Sequence, residues 1–118
     1  MADLSQSREE AAELIDIGRV LATIREPFKP RDLVRANDAI LRVARLRGEF
    51  PWHTHDEDEL FLCWEGTFRG ELEGRDAVTL SEGQLFVVPR GTRHRPVAER
   101  EAVTLMLERP ETLQYGNT

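Results

Sequence analysis

Two hydrophobic rhythms divide the chain. In the first, apolar residues fall at Ala11, Leu14 and Ile15, then at Ile17, Val20, Leu21 and Ile24, and the first group fits one face of a helix. Ser7, with Glu10 three residues later, has the spacing of a capping box that would open that helix. Gly18 either ends the helix or weakens it. Pro27 and Pro30 exclude a regular element through 26–30.

From Asp32 onward short apolar runs alternate with turn residues at about ten-residue spacing. This pattern predicts strands near 31–36, 39–47, 50–55, 59–65, 67–73, 76–80, 85–88, 93–98 and 102–108. The turns between them carry Asn37-Asp38, Gly48, Glu65-Gly66, Glu73-Gly74, Glu82-Gly83 and Pro89-Arg90-Gly91. Many short strands with no helix between them read as an all-β antiparallel sandwich or barrel. The expected organisation is an N-terminal helical or extended arm over 1–30, a barrel over 31–110 and a tail over 111–118.

The length of 118 residues suits one domain. A net charge of −6 offers nothing to a phosphate backbone, so no nucleic-acid partner is expected. No apolar run approaches the roughly 18–20 residues that span a bilayer, and the polar, acidic start MADLSQSREE is unlike a secretory signal. Cys63 is the only cysteine, so no intrachain disulfide can form and a reducing, cytoplasmic setting is the simplest expectation.

The chemistry concentrates at three histidines. His53 and His55 stand at i and i+2. In a strand such residues share a face about 6.6–6.8 Å apart, close enough for two imidazoles to converge on one ion. Glu59 has the same parity, but a straight strand would carry it roughly 13 Å from His55; the polar Asp56-Glu57-Asp58 must turn for Glu59 to return beside them. His94 follows the turn-forming Pro89 and Gly91, and only closure of a barrel would bring it to the same interior. Taken singly, each feature is more often a surface histidine or a solvated acidic turn than a ligand.

The spacing of the whole set changes that balance. Residues 48–66, GEFPWHTHDEDELFLCWEG, resemble the first cupin motif, G-x5-H-x-H-x3,4-E-x6-G, with the leading glycine one residue closer. Residues 83–94, GQLFVVPRGTRH, resemble the second, G-x5-P-x-G-x2-H-x3-N, except that Ala98 replaces the final asparagine. The flanks are similar to small single-domain cupins of the cupin 2 conserved-barrel, mannose-6-phosphate-isomerase-like group, whereas the tail ERPETLQYGNT departs from their ending. The resemblance implies a double-stranded β-helix (jelly-roll) barrel in which His53, His55, Glu59 and His94 ligate one divalent transition metal. It does not imply the isomerase activity in the group's label, since one fold carries many chemistries.

Three imidazoles and a carboxylate suit Zn, Mn, Fe, Ni, Co or Cu alike. No thiolate stands at the motif positions, which argues against a closed structural zinc site. Parity from Glu59 places Phe61 and Cys63 toward the interior and Leu60, Leu62 and Trp64 outward, where the N-terminal helix or a second subunit would cover them. Family members commonly dimerise, so a homodimer is expected. Cys63 reads as a buried spectator rather than a nucleophile, because nothing near it in sequence lowers its pKa. Arg90, Arg93 and Arg95 surround His94, and Arg42, Arg45 and Arg47 alternate before Gly48; they form either a positive rim for an anionic ligand or ordinary glutamate-paired strand arginines. Arg45 and Arg93 are the first candidates for a substrate pocket that also includes Phe61 and Cys63.

Two functional readings follow. One is a metalloenzyme acting on a small oxygenated or anionic molecule by dioxygenase, isomerase or epimerase, or lyase chemistry. No general base beside the metal can be named from the sequence. The other is a non-catalytic binding or sensing module that uses the metal as an anchor. A purely structural or storage barrel is the weakest reading.

Overall fold

A computed structural model describes residues 13–117. The start of the expected helix, including Ser7 and Glu10, lies outside the described residues. Within them one short helix, α1 (Ile17–Ala22), begins at Asp16, whose carboxylate accepts the Arg19 backbone N–H at 3.1 Å. Gly18 therefore lies in the first turn of this helix and does not end it. The end is held from the barrel: Arg45 donates through Nε to the Ile24 carbonyl at 2.6 Å and through Nη2 to the Leu21 carbonyl at 2.9 Å, satisfying acceptors that a helix terminus leaves open.

Seven strands follow: β1 (Arg31–Ala36), β2 (Ala39–Glu49), β3 (Glu59–Glu65), β4 (Phe68–Leu72), β5 (Val78–Leu80), β6 (Leu85–Val88) and β7 (His94–Glu108). All pairings are antiparallel, in the order β1-β2-β7-β3-β6, with β4 pairing both β5 and β7. The fold is the all-β jelly-roll barrel with a short N-terminal helix.

Three expected boundaries differ, each for a local reason. Gly48 is not a turn: the strand runs through it to Glu49, and its φ of 88° belongs to a bulge at which the register shifts. The segments 93–98 and 102–108 are one strand, because Glu99, Arg100 and Glu101 of β7 oppose only Arg47 of β2. This bulge lets β7 serve both walls of the barrel: Val97 to His94 pair with β4, and Val103 to Leu107 pair with β3. Residues 50–55 are not a regular strand; within them only His53 forms a bridge, to His94.

Alternation along β3 divides the protein into two cores. Glu59, Phe61 and Cys63 are buried inside the barrel, where Phe61 and Cys63 cluster with Phe68, Leu72, Leu80 and Met106. On the other face Leu62 packs with Leu21, Ile24, Val43, Val103 and Leu105, so α1 covers that part of the sheet. Gly70 is required inside the barrel: a Cβ there would lie 2.5 Å from Phe86 Cζ.

Candidate metal centre

His53 and His94 face each other across an antiparallel bridge. The His53 N–H donates to the His94 carbonyl at 3.0 Å and the His94 N–H donates to the His53 carbonyl at 2.9 Å. The turn through Pro89 to Gly91 is tied to the same segment, since the Gly91 N–H donates to the His55 carbonyl at 2.9 Å and the Arg90 N–H to Asp58 Oδ1 at 2.8 Å. The acidic run 56–58 thus turns, and Glu59 enters β3 beside the histidines. The imidazole centroids lie 4.7 Å apart for His53 and His55, 4.3 Å for His53 and His94, and 5.3 Å for His55 and His94.

All four candidate ligands are buried, and one ligand atom from each lies within 4.8 Å of the others. Their protonation geometry fits an ion. His53 Nδ1 lies 2.8 Å from the Pro51 carbonyl and His94 Nδ1 lies 2.8 Å from the Thr92 carbonyl. A carbonyl can only accept, so each Nδ1 carries the hydrogen and each Nε2 presents a lone pair. His55 is 2% exposed, and neither of its ring nitrogens has a hydrogen-bond partner among the described residues. Its Nε2 is 3.4 Å from Glu59 Oε1 but not aligned for a hydrogen bond. An orphaned buried polar atom costs about 1–3 kcal/mol, a penalty that a bound cation removes.

The electrostatics agree. Burial and the neighbouring imidazoles hold His53 neutral, with its pKa lowered to about 4. Burial pushes the Glu59 carboxyl up, but the His55 and His94 imidazoles that face it outweigh this and hold it well below the usual carboxylate range. A neutral His53 imidazole and an ionised Glu59 carboxylate are ligand states that a divalent metal requires.

A cavity of about 290 Å³ opens beside the cluster, with His53 and Glu59 in its wall. Phe28, Leu46, Phe50, Phe61 and Met106 supply apolar surface, and Arg42, Glu108 and Thr112 supply polar groups. Sequence reasoning missed Glu108 and Thr112, and named Arg42 only among the arginines of a possible positive rim. Glu108 is buried and donates nothing to the apolar core; its Oε1 accepts Arg42 Nη1 at 2.8 Å. Burial and the facing Glu59 carboxylate push its pKa up, against the pull of Arg42. Two carboxylates share a hydrogen bond only when a proton lies between them, and Glu108 Oε2 finds no donor among the described residues. The signal was available: Glu108 continues the inward parity of Thr104 and Met106 along β7.

The other expected pocket residues separate. Phe61 lines the cavity. Cys63 does not; it is fully buried in the barrel core, with Sγ donating to the Gly66 carbonyl at 3.2 Å, and burial pushes its thiol pKa up. Arg45 lies away from the cavity, on the helix carbonyls and on Glu101. Arg93 is half-exposed, paired with Glu73, and lies with Arg95 over the Trp52 ring at 5.1 and 4.8 Å from its centroid. Arg42, Arg45, Arg93 and Arg95 are thus each paired with carboxylates, and of the arginines singled out in the sequence Arg42 alone lines this cavity. The tail seats on the site instead: the Asn117 N–H donates to the Thr54 carbonyl at 2.7 Å, Gln114 Nε2 donates to the Phe28 carbonyl at 2.7 Å, and Tyr115 stacks on Phe50 at 5.0 Å.

Comparison with known proteins gives one consistent result. The family model described as a cupin domain matches residues 42–108. An uncharacterized protein, YdbB, from Bacillus subtilis (strain 168) is 30% identical over 86 residues, covering 72% of this chain and 76% of that protein. The crystal structure of a cupin-2 domain containing protein from Shewanella frigidimarina NCIMB 400 matches with a TM-score of 0.77 at 30% identity, over 81% of this chain and 94% of that one. A crystal structure from Neisseria meningitidis matches with a TM-score of 0.76 at 28% identity, over 82% of this chain and 99% of that one.

Proposed function

The chain belongs to the cupin domain family, and from that premise we propose that it is a metal-dependent enzyme acting on a small oxygenated molecule. The observation that carries this reading is the buried His53, His55, Glu59 and His94 cluster, two of whose members, His53 and Glu59, stand in the wall of a largely apolar cavity. His53, His55, Glu59 and His94 would hold a transition metal there, which would supply Lewis-acid chemistry. The chain's own residues do the rest. Pro51 and Thr92 fix two imidazole tautomers, the phenylalanines give the cavity its apolar surface, and Glu108 supplies a second carboxyl group at its wall.

Dioxygenase, isomerase or epimerase, and lyase chemistry all fit such a site. The test is to purify the protein without chelator, identify the metal by elemental analysis, and follow oxygen uptake and product formation with small acids, phenols and sugars. Turnover that needs the metal supports the enzyme reading. Ligand binding without any product would establish the non-catalytic binding or sensing module instead.

A homodimer in a reducing, cytoplasmic setting is part of the same proposal. Leu85, Val87 and Leu107 are 55%, 48% and 42% exposed. They lie beside one another on the outer sheet face, because Leu60 pairs with both Val87 and Leu107 and Leu62 pairs with Leu85. A contiguous apolar face of this kind is a candidate interface. A light-scattering mass of one chain would refute the dimer.

A further inference from the structure

Two of the three histidines are held at the ring, and the third is not. His53 and His94 each give Nδ1 to a carbonyl two residues away, and their backbones pair with each other. His55 has neither support. It lies between β2 and β3 in no strand, and neither ring nitrogen has a hydrogen-bond partner among the described residues. A metal-ligating histidine is normally oriented through its far ring nitrogen. For His55 the orientation has to come from the backbone.

That backbone is bracketed by one residue of the tail. The Asn117 N–H donates to the Thr54 carbonyl at 2.7 Å, and Asn117 Oδ1 accepts the Asp56 N–H at 3.0 Å. The first bond holds the peptide unit before His55. The second holds the unit after it, whose carbonyl also accepts the Gly91 N–H at 2.9 Å. Each unit is planar, so fixing both sets φ and ψ of the residue between them, and with them the direction of its Cα–Cβ bond. Gly116 makes the approach possible. Its φ is 81°, and a Cβ there would lie 2.5 Å from the Thr54 oxygen and 3.0 Å from His53 Cβ, so only glycine fits. Leu113 and Tyr115 are mostly exposed, so the end of the tail is seated mainly by hydrogen bonds rather than by apolar burial.

We propose that Asn117 is a positioning residue for the metal centre: it contributes no ligand atom, and it sets the direction from which His55 meets the ion. The coupling is reciprocal, since an ion that binds His55 in this orientation also favours the seated tail. The inference rests on the ligand assignment above and names a residue outside the 42–108 segment matched by the family model.

The test loads Co2+ into the purified full chain and measures its affinity by competition with a chromophoric chelator. The visible spectrum of the bound ion and the melting temperatures of the metal-free and loaded protein are recorded alongside. Asn117→Ala keeps the backbone donor and removes the Oδ1 acceptor. It should weaken Co2+ binding by about 10–100-fold, as loss of a partner that orients a ligand does, and change the spectrum. It should lower the melting temperature of the loaded protein more than that of the metal-free protein. Asn117→Asp keeps the acceptor and, at high salt to screen the added charge, should restore most of the affinity. Gly116→Ala should reproduce the loss by lifting the same pair off Thr54. In the unmutated protein, Zn2+ should slow amide exchange at Asp56 and Asn117.

Unchanged Co2+ affinity in Asn117→Ala, an equal fall in both melting temperatures, no recovery in Asn117→Asp, or amide exchange indifferent to Zn2+ would each overturn the positioning role while leaving the metal site in place. Failure of the unmutated protein to take up Co2+, or its retention at full affinity by His55→Ala, would overturn the ligand assignment and this role with it.

Discussion

His53 and His94, forty-one positions apart in the chain, exchange both backbone hydrogen bonds, at 3.0 and 2.9 Å. This single bridge sets the two imidazoles 4.3 Å apart. It also explains why the site survives in a segment with no regular strand: the backbone pairing is confined to the residue that needs it.

Replacing both partners, His53→Ala with His94→Ala, should reduce bound metal from one ion per chain to background, read by elemental analysis after dialysis. Native metal content in this variant would refute the ligand assignment. Stripping the metal from the unmutated protein should lower its melting temperature, because a ligand bound only to the folded state at 100 times its Kd contributes about 2.7 kcal/mol.

The metal-free protein should lose stability in acid within a definite window. His53 has a folded pKa of about 4 against an ordinary value of 6.5. Above 6.5 neither state takes up the proton. Between about 6.5 and 4 the unfolded chain binds it and the folded chain does not, so stability falls with pH; below about 4 this contribution levels off. Urea titrations across this range read the slope, and His53→Gln should flatten it.

Arg42→Met should destabilise the protein by about 1–3 kcal/mol, the cost of leaving buried acceptors without their donor. Arg42 is the partner of the buried Glu108 and also binds the tail at Pro110 and Thr112. The loss should appear in chemical denaturation and, locally, as faster amide exchange at the Asn117 N–H.

Cys63 should resist thiol reagents in the native protein and react at once on unfolding. It is completely buried, bonded to the Gly66 carbonyl, and its thiol is held protonated by burial and by Glu82. Fast modification without loss of structure would contradict this.

The strand pattern was legible where alternation is strict. Along β3 each second residue enters the barrel, so Glu59, Phe61 and Cys63 could be separated from Leu60, Leu62 and Trp64 before any coordinates. The metal cluster was legible through motif spacing. What resisted reading was long-range: the Glu99–Glu101 bulge resembles a turn in sequence, and the interaction of Arg42 with Glu108 spans 66 positions. Arg45 illustrates the same limit, for nothing local reveals that its partners are the carbonyls of a helix 21 and 24 residues earlier.

The two-sided character of β3 also shapes how this protein can change over evolutionary time. Single substitutions at alternate positions can retune the cavity without touching the seat of α1, since each face answers to different neighbours. A one-residue insertion or deletion in the Asp56–Asp58 turn is a different kind of event. It would exchange the two faces at once, sending Leu60 toward the histidines and Glu59 toward the outer sheet face. Diversification of the pocket is therefore open to point changes and closed to length changes at that turn.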